Sequence, residues 1–237
     1  MTGLLASVKD EEEARLVLES GADLVDFKDP ERGALGALPG QALAAGVEAV
    51  AGCRPVSATI GDGPMDPASL AGMVRATARC GVDYVKVGLA GTPEAAAPSL
   101  HALAPLARYE THLVAVLFAD RRPSPRLVPS LREARFRGVM LDTAGKEAGS
   151  LLRHLAPGEL ARFLEPAQQA GMLTGLAGSL GPEDVPPLLA LEPDFLGFRG
   201  ALCGPGGRAG SLDPQALADL RARLPGSETD DRLSVPR

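Results

Sequence analysis

Residues 21–38 read GADLVDFKDPERGALGAL, a short apolar run that ends on Lys28 and then turns abruptly into a glycine-rich loop. Side chains alternate between the two faces of a strand, so Leu24, Asp26 and Lys28 share one face. Val25 and Phe27 lie on the other face, where they suit packing against helices. The pattern predicts a strand whose polar face points into a site, with Lys28 at its centre.

Lysine is rare in this chain. Of the 24 lysine and arginine residues, only Lys9, Lys28, Lys86 and Lys146 are lysine. Each lies at or just past the C-terminal end of a predicted strand, which is where barrel enzymes carry their active sites. A functional interpretation is favoured for Lys28 and Lys86, whereas Lys9 and Lys146 are also explained as solvated lysines that border a loop.

The rest of the chain alternates between strand and helix patterns with a period of about 25 to 28 residues, which is typical of a (β/α)₈ barrel. The predicted strands are residues 4–8, 24–28, 55–60, 83–88, 112–118, 139–142, 172–176 and 195–198. The predicted helices are residues 10–20, 39–51, 67–80, 93–109, 125–136, 158–170, 182–190 and 213–224.

The sequence therefore predicts a single-domain (β/α)₈ TIM barrel over residues 1–224, followed by a disordered tail over residues 225–237. An open doubly wound sheet is disfavoured, because the residues after the first strand lack the glycine fingerprint of that fold. The loop between the sixth strand and the sixth helix, residues 143–157, is predicted to be unusually long.

Composition excludes several classes of function. The net charge of −6 is mild and no run of like charge tracks a phosphate backbone, so nucleic acid is not expected as a partner. The three cysteines are odd in number and widely spaced, which predicts reduced thiols in a cytoplasmic protein without a metal site or cofactor. No leader or membrane-spanning run is visible, so no membrane partner is expected. The sequence leaves open whether the protein forms a homo-oligomer.

In a barrel the C-terminal strand ends converge on one mouth. This predicts a cluster of candidate catalytic residues, namely Asp26, Lys28, Lys86, Asp142 and Lys146. A lysine amine is a nucleophile when a second ammonium and desolvation lower its pKa, and arginine cannot replace it in an imine. The alternative is a lysine pair that binds anionic groups as fixed charges.

The loops after the seventh and eighth strands are where barrels commonly bind phosphate. Gly178, Ser179, Arg199 and Gly200 are the candidates, with Arg199 placed to fork onto phosphate oxygens. The glycines are also explained by turn geometry alone.

Three further residues near the mouth are less specific. Asp62 is interpreted either as an acid or base or as a helix cap, and for Asp120 the helix cap is favoured. Ser57, in the third strand, is an additional candidate.

Six segments, in order between residues 21 and 203, carry a resemblance to a known family. They read GADLVDFKDPERGALGA, VSATIGD, DYVKVGL, VMLDTAGK, LAGSL and GFRGALC. Each is weak alone, but together they resemble the (5-formylfuran-3-yl)methyl phosphate synthase family. The resemblance implies a (β/α)₈ lyase, similar to class I aldolases, that condenses two molecules of the triose phosphate glyceraldehyde 3-phosphate with loss of phosphate and water. The product is the furan precursor of methanofuran.

The resemblance also implies roles for single residues. Lys28 matches the Schiff-base lysine and Lys86 the proton acceptor, while Asp142 and Lys146 match residues that assist. Residues 117–126 do not align, which leaves Asp120 without an implied role. Two alternatives stay open: a class I aldolase or triose-phosphate isomerase-like enzyme, and a non-catalytic sugar-phosphate-binding barrel.

Overall fold

The computed structural model describes residues 1–62, 66–145 and 149–225. Eight parallel strands close into a barrel in the order β1 to β8, so the predicted barrel is confirmed. The strands are β1 Gly3–Val8, β2 Leu24–Phe27, β3 Val56–Thr59, β4 Tyr84–Gly88, β5 His112–Phe118, β6 Gly138–Asp142, β7 Leu173–Leu176 and β8 Phe195–Phe198. Lys146 and the predicted tail beyond residue 225 lie outside the described residues.

The helices are α1 Glu11–Glu19, α2 Gly40–Val50, α3 Pro67–Ala78, α4 Pro93–Tyr109, α5 Leu127–Glu133, α6 Leu151–His154, α7 Pro157–Gln169, α8 Val185–Leu189 and α9 Pro214–Arg221. Side chains at four of their N-termini accept backbone N–H bonds, which satisfies donors that the first helical turn leaves unpaired. These caps are Asp10, Asp66, Thr92 and Asp213. Among the described residues, no helix has the length and apolar character needed to cross a membrane.

The barrel has an apolar shell outside the strands and a divided interior. Val25 and Phe27 belong to the core between strands and helices, as the alternation in β2 predicts. The lower interior is filled by a second apolar cluster that includes Leu24, Tyr84 and Phe195. The charged side chains Asp26, Lys28, Lys86 and Asp142 lie in the upper interior, towards the C-terminal ends of the strands.

The strand register arranges the upper interior in layers of four side chains from the even-numbered strands. Because the strands stagger around the barrel, Asp26 of β2 shares a layer with Lys86, Met140 and Gly197. The layer above it contains Lys28, Gly88, Asp142 and Arg199. The two lysines thus lie in adjacent layers of the same mouth.

Two segments differ from the prediction. The loop after β6 contains the short helix α6, anchored by buried Leu151, whose backbone N–H donates to the Gly178 carbonyl. Four residues are too short to show a helical period, so the sequence pattern missed it. The predicted helix at residues 182–190 is a 3₁₀ turn, Pro182–Asp184, followed by α8.

Candidate active site

A cavity of about 440 Å³ opens at the C-terminal mouth of the barrel, within the size range of small-molecule sites. It gathers most of the predicted site residues. Its lining includes Asp26, Lys28, Lys86, Asp142, Gly178, Ser179, Arg199 and Gly200. We call the strand-borne group Asp26, Lys28, Lys86 and Asp142 the lysine side, and the loop-borne group Gly178, Ser179, Gly200 and Arg208 the phosphate side.

Lys28 follows β2 directly and turns its side chain into the cavity. Its backbone N–H donates to the Val8 carbonyl at 3.0 Å, which continues the β1–β2 pairing one residue past the strand end. The residue is only 8% exposed. A primary amine is therefore held by strand pairing in a largely desolvated position, as an imine-forming lysine requires.

Lys86 lies beneath it as one partner of a buried ion pair. Its Nζ is 2.6 Å from Oδ1 of Asp26, which is completely buried. Ser57 Oγ donates to the same oxygen at 2.7 Å, and Ser7 Oγ donates to Oδ2 at 3.0 Å. The Asp26 carboxylate offsets the positive charge of Lys86. The electric field of Lys86 at Lys28 is therefore weaker than the field of the unpaired second ammonium that the sequence predicts.

Asp142, the last residue of β6, completes the lysine side of the cavity. Its Oδ1 accepts the backbone N–H of Thr143 at 2.7 Å, and it is nearly buried beside the cavity. A carboxylate at this strand end is placed to exchange protons with a group bound in the mouth.

The two glycines of the phosphate side have different structural requirements. Gly178 has a φ of +110°, and a Cβ there would lie 2.9 Å from the Thr143 backbone nitrogen, so its backbone geometry alone requires glycine. At Gly200 no positive φ is present, and a Cβ would meet nothing nearer than Arg208 Cβ at 3.9 Å. Glycine at 200 is not needed for packing, which favours a ligand that approaches the backbone there.

Arg199 differs from its predicted role. All five of its guanidinium N–H groups have protein acceptors. Two go to the Glu13 carboxylate, and the others go to the backbone carbonyls of Ser7, Arg208 and Gly210. No donor remains to fork onto phosphate, so this side chain, although it borders the cavity, ties the loop after β8 to β1 and α1.

Arg208 is the functional candidate that the sequence prediction missed. It lines the cavity from the glycine-rich loop after β8, and the one hydrogen bond of its side chain among the described residues is Nη2 to the Gly33 carbonyl, at 3.0 Å. Burial lowers the pKa of this guanidinium, an effect that the charges of Asp142 and Asp62 oppose. The run GPGGRAG around it is a usable signal, since turn chemistry explains the glycines but not the arginine among them.

In the part of the chain that the structure describes, neither Asp62 nor Asp120 caps a helix. Asp62 Oδ2 accepts the Leu35 backbone N–H at 3.4 Å, and the described cavity lining does not include it. Asp120 accepts the backbone N–H groups of Ala144 and Gly145, each at 3.0 Å. Both carboxylates brace neighbouring loops of the mouth, because in a barrel the loops after adjacent strands lie side by side.

The fold and this site define a (β/α)₈ barrel with a strand-borne lysine pair in a cavity at its C-terminal mouth. Solved barrels share the architecture. Phosphoribosyl anthranilate isomerase from Thermus thermophilus superposes with a TM-score of 0.63 at 18% identity, covering 94% of this chain and 98% of that chain. A 3-hexulose-6-phosphate synthase superposes with a TM-score of 0.60 at 16% identity, covering 94% and 100%. At these identities the likeness concerns the fold.

The family follows from the sequence. The family model of 4-HFC-P synthase matches residues 4–221, and the chain belongs to this family. A (5-formylfuran-3-yl)methyl phosphate synthase of Methanopyrus kandleri is 39% identical over 215 residues, covering 86% of this chain and 91% of the relative. The resemblance found in the six segments is therefore confirmed for nearly the whole chain.

Proposed function

We propose that the protein condenses two molecules of glyceraldehyde 3-phosphate into (5-formylfuran-3-yl)methyl phosphate, with loss of phosphate and water, in the synthesis of a methanofuran-type cofactor. The observation that carries the proposal is the buried Lys28, which shares one cavity with the Asp26–Lys86 pair in a chain of this family. A desolvated amine above an ion pair suits an imine-forming lysine with its own proton-transfer partner.

The chemistry begins at Lys28. Its amine adds to the aldehyde of one triose phosphate, and loss of water gives a protonated imine. This iminium draws electrons from the neighbouring carbon and makes its hydrogen acidic. Lys86 in its amine form accepts that proton, with Asp142 as the other group in reach of the mouth.

The resulting enamine uses its electron pair to expel the phosphate of this first triose, which leaves an α,β-unsaturated iminium on Lys28. The enediol form of the second triose phosphate then adds through its C2 to the terminal carbon of that iminium, and the C2 oxygen of the first triose closes the ring on the aldehyde of the second. Loss of water then yields the furan, and hydrolysis returns the Lys28 amine. The proposal places the retained phosphate on the backbone of Gly178, Ser179 and Gly200, with Arg208 supplying the charge. Arg208 takes the role predicted for Arg199 because the Arg199 donors are already committed.

Incubation with glyceraldehyde 3-phosphate alone tests the proposal. It predicts a conjugated furan aldehyde, seen by its ultraviolet absorbance and product mass, together with one inorganic phosphate per furan. Release of dihydroxyacetone phosphate without furan would instead support an isomerase. Binding of the triose phosphate without any conversion would support a non-catalytic barrel.

A further inference from the structure

Asp26 is held by two serines as well as by Lys86. The register pairs Asp26 with Ser7 of β1 on one side and with Ser57 of β3 on the other. Each hydroxyl donates to a different carboxylate oxygen, at 3.0 and 2.7 Å. Ser7 and Ser57 are 1% and 2% exposed, so bulk water does not substitute for either donor.

This arrangement bears on the proton cycle of Lys86, and the argument rests on the proposed function. Lys86 at rest is an ammonium bound to a carboxylate, and it must lose a proton before it accepts one from the substrate. The balanced route is that Lys86 donates its proton to the hydroxyl of the Lys28 carbinolamine, which leaves as water. The neutral Lys86 amine then takes the proton from the carbon next to the iminium and becomes an ammonium again.

Between these two transfers Asp26 lacks the Lys86 ammonium that pairs with it at rest. A fully buried carboxylate without a partner is strongly destabilised, and only its remaining hydrogen bonds compensate. We propose that Ser7 and Ser57 are positioning residues that keep Asp26 anionic and fixed while Lys86 is neutral. Two neutral hydroxyls suit this role, because they stay in place whether or not Lys86 carries its proton.

The other charges around the pair do not replace the serines. Lys28 belongs to the imine, and Asp142 and Arg208 line the cavity above. The Arg199 guanidinium is bound to Glu13. Within the part of the chain that the structure describes, the side-chain donors to Asp26 are therefore the two serines and Lys86.

The test compares Ser7→Ala and Ser57→Ala with Ser99→Ala, a matched buried serine on α4 away from the mouth. Each site variant should lower kcat about tenfold or more with little change in KM, the usual scale for a hydrogen bond to a charged group. With one donor gone, Asp26 depends more on the Lys86 cation, so Lys86 releases its proton less readily. In the pH profile of kcat, the limb that reports proton release from Lys86 should move to higher pH by about one unit. Ser99→Ala should match the wild type.

An unshifted pH profile in both site variants, or a loss that appears only in KM, would overturn the proposal. Where an alanine variant loses its thermal unfolding transition, the near-isosteric cysteine, a much weaker donor, carries the same expectation. If the wild-type protein forms no furan and traps no imine, the proposed function is wrong. If the wild type turns over normally and the serine variants keep its pH profile, the proposed function stands and only the role of the two serines is wrong.

Discussion

The lysine side and the phosphate side of the mouth are built by different means. On the lysine side every side chain sits on a strand or one residue beyond it, and the strand register fixes its direction. On the phosphate side the candidate groups come from loops, and the strand-end residue, Arg199, is used to hold one of those loops. The difference teaches that a charge at a strand end does not by itself mark a residue for the chemistry, since all the guanidinium donors of Arg199 are bound within the scaffold.

The largest expected effect is on the lysine side. Lys28→Arg should abolish furan formation, because arginine keeps the charge but forms no imine. The thermal unfolding transition should stay close to that of the wild type, since the position borders a cavity. Product assays and thermal denaturation of the same preparation check both points, and substantial remaining turnover would place the imine on another lysine.

Lys86→Arg should separate imine formation from proton transfer. The guanidinium keeps a cation beside Asp26 but stays protonated, so it cannot accept the substrate proton. Loss of a general base costs about a hundred- to ten-thousand-fold in rate. We expect borohydride to trap substrate at Lys28 more slowly than in the wild type, because arginine does not donate the proton that expels the carbinolamine hydroxyl, while furan release falls by that factor. Complete loss of trapping would show that Lys86 carries or shapes the imine site.

Arg199→Ala should act mainly on stability. It leaves buried Glu13 with the more distant Lys9 ammonium, at 3.8 Å, as its remaining cationic partner. Breaking a buried ion pair typically costs about 3–5 kcal/mol. Chemical denaturation of the variant and of Glu13→Gln should show large losses of the same order, because each breaks the same pair. A fully stable Arg199→Ala protein with only a raised KM would restore the phosphate role predicted from the sequence.

Arg208→Ala is the matched change on the phosphate side, and it should act on substrate binding rather than on stability. Loss of a charged hydrogen-bond donor to phosphate should raise KM about ten- to a hundredfold while kcat changes less, since the grip acts on ground and transition states alike. The unfolding midpoint should stay unchanged. Arg208→Lys should recover part of the affinity, because the charge remains.

The smallest expected effect concerns Asp120. Desolvation opposes its ionisation, but the Ala144 and Gly145 N–H bonds prevail and lower the pKa of this carboxyl. A lowered folded-state pKa contributes stability that is present above the unfolded value of about 3.9 and is lost as pH falls through the folded value. Asp120→Asn should cost roughly 0.5 kcal/mol or less at neutral pH, after solvent screening. Denaturation curves at neutral and at strongly acidic pH should show this difference shrinking with acid.

The contrast between the two sides also shows which features of the site can be predicted from the sequence alone. The period of two in β2 and β4 predicts which way Lys28 and Lys86 point, because alternation is a local property of strands. The Glu13 partner of Arg199 lies 186 residues away, and no local pattern reveals that the guanidinium is committed. For the same reason the Ser57–Asp26 bond appears only once strand register brings β2 and β3 together.

Borohydride trapping tests most directly whether Lys28 forms the imine. Wild-type protein incubated with glyceraldehyde 3-phosphate, reduced with borohydride and digested, should show by mass spectrometry a triose phosphate adduct, or that adduct less phosphate, on the peptide containing Lys28. The same treatment of Lys28→Arg should leave every peptide unmodified. An adduct on Lys86 or Lys146, or no adduct in wild-type protein that is forming furan, would contradict the account.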